Sequence, residues 1–517
     1  LTRPVTPGVQ YGRAGGLDTA REDKGIRHGG ARFMALGVCA PRETEDIAMM
    51  DWKAAGVAGH RVFRSTRGGL AVLAVALVGA VAWGSRHVGP VESEALAAPA
   101  PSAGTSQPLL DVATDLQALG ALREGRRAFR YDTFGDEAFW GQKLGLHEAI
   151  AGAANGGVGA GVSPAAALSL GLKVDVDALP ASLTKELKKG HVDLNNPATT
   201  LALLKLNSVV GLTGVFDAQG QITSLGLQCA LCHSTVDDSF APGIGHRLDG
   251  WPNRDLNVGA IIAAAPNLSA FAGILGVPVS TLSATLNSWG PGKFDAFIIL
   301  DGKTSRPDGG SAATLIPGLF DIRGSGLVTW NGYGSLANWL PIVVNLEMHG
   351  QGVLSDSRLN NPSLYPVAVA NGFSHIVNSP DLVTPKLSSL LAYVESLTAP
   401  TPPAGSFDPA QASLGEALFT GKARCSGCHV PPLNTTPGWN LVPAAVIGVD
   451  SFQADRSPNS GYRPCILHGL FAESKGGYFH DGRFATLGDV VDHFNTQFSL
   501  GLTADEESQL VEYLKSL

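Results

Sequence analysis

Hydrophobic positions divide the chain into regions of different character. Residues 1–48 show no amphipathic period. Residues 68–85, "GGLAVLAVALVGAVAWGS", are apolar and uncharged, preceded by Lys53, Arg61, Arg64 and Arg67 and followed by Arg86. That run lies on the border between a signal-peptide core and a short membrane span. Residues 87–108 are an Ala/Pro/Ser linker. Beyond it, "GVFDAQGQITSLG" alternates as a small hairpin does. The proline-rich boundary "TAPTPPAGS" at 398–406 then leads into a helix. Two similar amphipathic segments close the halves on either side of it: "SLLAYVESL" (389–397) and "QLVEYLKSL" (509–517). Thr503 and Glu506 form a capping box for the second, and Leu510, Val511 and Leu514 form its stripe. The pattern predicts a mainly α protein with long loops and a few short strands.

Composition sharpens this picture. Of 517 residues, 44% are hydrophobic and 16% charged, which permits a sizeable core and argues against wholesale disorder. The net charge of -8 gives no electrostatic reason to expect nucleic acid as a partner. Glycine is abundant, at 64 residues, and aromatics make up only 7%. Long loops wrapped around a large flat cofactor would account for that.

Four of the six cysteines fall into two copies of one pattern, Cys229-Ala-Leu-Cys232-His233 and Cys425-Ser-Gly-Cys428-His429. C-x-x-C-H attaches c-type haem: the thiols add to the vinyl groups and the histidine is presented to iron. A zinc site would want its cysteine pairs close together, and a thioredoxin-like pair requires no histidine. Two covalently bound haems c are therefore expected, with His233 and His429 as iron ligands. Cys39 lies in the leader, and Cys465 reads as a buried small side chain. Each half runs C-x-x-C-H, loops, then an L-x-x-Y-x-x-S-L helix, the mark of two related modules. The expected division is 1–48, a doubtful leader with a start at Met49 or Met50; 49–108, signal or anchor and linker; 109–400, a first haem domain with insertions; and 401–517, a second. Haem c is attached outside the cytoplasm in bacteria, so the expected location is periplasmic, or membrane-anchored through 68–85 and facing the periplasm.

Two further segments carry a family resemblance. "GGYFHDGRFATLGDVVDHFN" (476–495) and "TWNGYGSLANWLPIVVNLEMHG" (329–350) resemble stretches of bacterial dihaem cytochrome c peroxidases and the related MauG-type enzymes. The resemblance spans about a third of the mature chain and leaves the insert between Trp251 and Val328 unexplained. It implies two cytochrome c-like haem domains and a peroxidase-like oxidoreductase acting on hydrogen peroxide or oxygen at the first haem. Electrons would pass through the second, with a small redox protein or an organic substrate as partner. Trp330 matches the family's tryptophan between the haems, and Glu347 its acidic residue on the distal side of the reacting haem. A carboxyl there suits O–O heterolysis, which needs one group to take a proton and return it. The plainer readings are ordinary core packing for Trp330 and a solvated helix end for Glu347.

The family's glutamine is replaced by Asn338 or Trp339. Its methionine ligand falls on Phe479, and Met348 is the only methionine beyond the leader. A sixth ligand at the second haem must then come from Tyr478, His480, His468 or His493, with His480 favoured. At the first haem Met348, His349 and His246 are the nearby candidates. The segment "RRAFRYDTFGDEAFWG" (126–141) could cover that haem or a substrate entrance, a structural role being the default. The family's peroxidases commonly hold a calcium between modules, but no ligand set for one is legible. The alternative function is a dihaem electron-transfer cytochrome without catalysis of its own.

Overall fold

Glycines set how the long helices meet. In the computed structural model, which describes residues 107–517, the helix Gln107–Tyr131 packs against the helix Thr384–Glu395. Gly125 makes this approach feasible: a Cβ there would run into the Ser389 carbonyl and the Tyr393 side chain. One turn on, Phe129 meets the Tyr393 ring, centroids 5.5 Å apart. The second half repeats the arrangement. Helix Pro409–Thr420 crosses helix Ala504–Ser516, Gly415 faces the Gln509 carbonyl and Tyr513, and Phe419 lies 5.1 Å from the Tyr513 ring. The tyrosines of the two L-x-x-Y-x-x-S-L segments thus occupy equivalent places, and in the second half helix Pro409–Thr420 leads directly into the C-x-x-C-H motif.

The rest is mainly short helices and loops. Among the described residues the strands form five two-stranded sheets, so no sheet organises the core. The hairpin read at 214–226 is present, with Leu212–Phe216 antiparallel to Ile222–Leu227. Burial concentrates in one large apolar cluster drawn from 139–244 and from the insert, with Leu144, Leu204, Phe271, Leu286 and Phe297 among its members. A smaller cluster around Phe129, Val344 and Tyr393 lies beside the first motif, and one around Phe419, Leu510 and Leu514 beside the second. The insert that the family resemblance left unexplained is therefore a main source of core.

The leader, the apolar run 68–85, most of the linker and Cys39 lie outside the described residues. Within them, no single helix is long and apolar enough to cross a membrane.

Candidate functional site

At the second motif, Cys425–Gly427 form a tight turn of helix entered through Arg424, whose φ is 55°. His429 Nδ1 lies 2.9 Å from the Cys465 carbonyl oxygen and 3.1 Å from that of Asn434. Carbonyls only accept, so Nδ1 carries the proton and the Nε2 lone pair is left available. Burial pushes the His429 pKa down, favouring the neutral, ligand-competent ring. A cavity of about 460 Å³ opens here, lined by Cys425, Cys428 and His429 together with Tyr478, Phe479 and His480.

The loop that supplies those last three is pinned by a bridge between Tyr478 and Phe484, with Phe479 at φ 67°. His480 stacks on Tyr462, ring centroids 4.9 Å apart, with Nε2 3.4 Å from Tyr462 Oη. Tyr462 donates to the Asp450 carbonyl and so accepts from His480 Nε2, which leaves the lone pair on Nδ1. Burial lowers the His480 pKa to about 4. The other two histidine candidates do not line the cavity and are engaged elsewhere: His468 Nδ1 meets Asp321 at 2.9 Å, and His493 Nε2 donates to the Ile447 carbonyl at 2.7 Å. Asp450, His480 and Asp481 converge, but Arg306 and Arg483 already pair with both carboxylates.

At the first motif, the hairpin delivers the chain into the short helix Ala230–His233. Asp136 accepts from the Leu227 amide and so holds the approach to Cys229. His233 Nδ1 lies 3.2 Å from the Pro317 carbonyl, the same tautomer device, and burial lowers its pKa to about 4. Burial, and then Glu347, push the Cys232 thiol up to about 12; burial does the same to Cys229. Glu347 is therefore close enough to Cys232 to act on it electrostatically. It ends a wide turn of π geometry, Val343–Glu347, that continues the helix Leu336–Ile342. Its Oε1 is buried without a hydrogen-bond partner. Burial, reinforced by the charge of Asp295, holds its pKa well above the usual carboxyl range. This is not a solvated helix end.

The neighbours of Glu347 differ in placement. His349, at φ 60°, stacks on Phe139 with centroids 3.5 Å apart, and burial lowers its pKa to about 3. Met348 is a core residue whose carbonyl accepts from Trp140 Nε1, whereas His246 pairs with Asp177 at the surface. Within 126–141, Phe129, Phe134, Phe139 and Trp140 are buried core, which gives that segment its structural role. Asn338 serves its own helix start with Ser335, and Trp339 stacks on Phe297.

Residues 315–317 tie the two centres together. The Pro317 carbonyl faces His233, the Leu315 carbonyl accepts from Trp330 Nε1 at 2.9 Å, and the Leu315 amide donates to the His480 carbonyl at 2.7 Å. Trp330 is half-buried and lines the second cavity. Its loop repeats the loop of His480: Val328 bridges Gly334 as Tyr478 bridges Phe484, and Thr329 has φ 68° where Phe479 has 67°. Trp330 and His480 are thus equivalent positions in two copies of one loop.

Solved structures that resemble part of the chain include two of low overall overlap. One is a MauG-like protein associated with microbial copper homeostasis, with TM-score 0.27 and 16% identity over 41% of this chain and 76% of that one. The other is the hydrazine synthase of Kuenenia stuttgartiensis, with TM-score 0.22 and 21% identity over 40% and 72%. No protein-family model and no curated protein matches the chain.

The donor set at the second motif fits a c-type haem on its own chemistry. It offers two thiols, an imidazole of fixed tautomer, a largely apolar lining and, on the wall, Arg254 and Arg463, each with a buried N–H lacking a partner. The structure thereby brings Arg254, Arg463 and the carbonyl of Cys465 into the site. Sequence reading missed all three, because isolated arginines and a backbone carbonyl in loops carry no spacing signal.

Proposed function

We propose that this chain is an exported dihaem c-type oxidoreductase with peroxidase-like chemistry at the first haem, held on Cys229, Cys232 and His233. The second haem, on Cys425, Cys428 and His429 with His480 as the favoured sixth ligand, exchanges electrons with a small redox protein or an organic substrate. Bound haem would supply iron-centred redox chemistry with hydrogen peroxide or oxygen.

The observation that carries the reading is Glu347, a carboxyl close enough to act on Cys232 electrostatically, with an unpartnered buried oxygen and a raised pKa. Such a group keeps its proton to higher pH than an ordinary carboxyl and has a free oxygen with which to receive or deliver one. Trp330 lines the second cavity and is hydrogen-bonded to the same three-residue strip that faces His233, which suits a relay between the centres.

Glu347→Gln keeps shape and removes the transferable proton. In purified holoprotein titrated with peroxide, it should slow peroxide consumption by about 10²–10⁴-fold, the usual contribution of general acid–base catalysis, while haem content stays unchanged. Equal peroxide rates in variant and parent would remove Glu347 from the mechanism. A second reading, an electron-transfer cytochrome without catalysis, is favoured by one feature: His349, two residues on, is half-buried, with its pKa lowered to about 3, and hence neutral and competent to occupy an iron position. Two low-spin haems that ignore peroxide, cyanide and carbon monoxide would establish that reading instead.

A further inference from the structure

Charge on the wall of the second cavity does not balance. Arg463 is half-buried against the cavity, its Nε donates to the Thr329 carbonyl at 3.2 Å, and its amide donates to the Trp330 carbonyl at 3.0 Å. Its Nη1 is buried and unpartnered, and among the described residues no carboxylate pairs with it. Arg254, only 5% exposed, donates from Nη1 to the Lys475 carbonyl at 3.3 Å, while its Nε has no partner. The one acid nearby, Glu473, meets Arg254 Nη2 at 3.8 Å and spends its other oxygen on the Gly318 amide at 2.6 Å. Two guanidiniums thus share one carboxylate in a mainly apolar enclosure, and burial lowers the pKa of both. An unpaired buried charge is strongly unfavourable unless an anion compensates it.

We infer that Arg463, with Arg254 beside it, is the carboxylate-binding pair of the second cavity, receiving an acidic side group of the porphyrin bound there and setting that haem's potential. This rests on the dihaem reading above. Arg463 also neighbours the iron-ligand candidate His429 closely enough to act on it electrostatically. A fixed positive charge at that position favours the reduced state, in a centre for which the only methionine beyond the leader, Met348, lies in the core beside the first motif.

The test is potentiometric titration of the holoprotein and of its Arg463→Gln and Arg463→Lys variants across about pH 4–7, the range in which a released carboxylate titrates. In Arg463→Gln one midpoint should fall by at least a tenfold change in its reduction equilibrium, about 59 mV for one electron. That midpoint should also become pH-dependent, while the other stays in place. Arg463→Lys should restore most of the potential. Unchanged midpoints and pH profiles in Arg463→Gln would overturn the assignment. If the glutamine variant does not fold, the parent decides: a second midpoint that is flat with pH supports the pairing, and a sloping one overturns it. Finding no covalently bound haem in the denatured parent would instead sink the dihaem reading, a distinct outcome.

Discussion

At the residue scale, burial does most of the chemistry. Glu347 and His349 sit two positions apart, and burial shifts both toward neutrality: the carboxyl pKa rises and the imidazole pKa falls to about 3. The consequences for stability run in opposite directions. His349 binds its proton more readily in the unfolded chain, so native stability falls as pH drops from about 6.5 toward 3, by up to about 1.4 kcal/mol per pH unit. Glu347 binds its proton more readily in the folded chain, so its effect is the reverse, with stability lost as pH rises above the ordinary carboxyl range. His349→Phe should therefore flatten the acid side of the stability profile. Urea unfolding at pH 7 and 4.5 checks this: a parent and variant that lose equal stability between the two would contradict it. Glu347 was legible only through the family resemblance, since "NLEMHG" alone does not tell a solvated carboxyl from an enclosed one. Arg463 was not legible at all, because its importance lies in what fails to surround it.

At the element scale, two copies of one plan are visible, and glycine carries the point of contact. Gly125 and Gly415 each let one helix press against the backbone of its partner, with Phe129–Tyr393 and Phe419–Tyr513 completing the pairs. Gly415→Ala would force the two helices of the second half apart. An overpacking cost of about 1–3 kcal/mol is expected, outweighing the small gain in helix propensity of alanine over glycine. Denaturant unfolding would register the loss, and a neutral or stabilised variant would show that the crossing is looser than the contact implies. The closing helices and the hairpin were readable from period and capping. The glycine crossings were not, because a glycine in a helical sequence announces its tolerance and not the partner that needs it. The loop copies 328–334 and 478–484 were likewise hidden, since Trp330 and His480 share a place but not a side-chain type.

At the scale of the whole molecule, a buried ion cluster joins distant parts of the chain. Arg456 is fully buried and clamps Asp295 through Nη1 at 2.8 Å and Asp301 through Nε at 2.8 Å. It also donates to the Ala312 carbonyl, while its own carbonyl accepts from Tyr365. Asp295 is in turn the charge that raises Glu347, so the loop after the second motif reaches the electrostatics of the first. Arg456→Met would strand two carboxyls in the interior at a cost of about 3–5 kcal/mol. Thermal unfolding of the variant should show that loss. Asp295, whose pKa is already raised by burial, would take up a proton and recover part of the stability at acid pH. A variant as stable as the parent at neutral pH would mean that the cluster holds nothing together.

The sequence by itself determined what depends on neighbours along the chain. That covers the two C-x-x-C-H motifs, the amphipathic closing helices with their caps, the hairpin before Cys229 and the mainly helical character. Each follows from residue type and local spacing, which covalent geometry and helix period translate directly into structure. Only the tertiary structure decided the rest. It buried Glu347, took His468 and His493 out of the second cavity and kept Tyr478 and His480 in it. It ran 315–317 between His233 and Trp330, and it left Arg463 without a counter-charge. The physical reason is that burial, charge balance and hydrogen-bond partnership are sums over residues far apart in sequence, and no local pattern contains them.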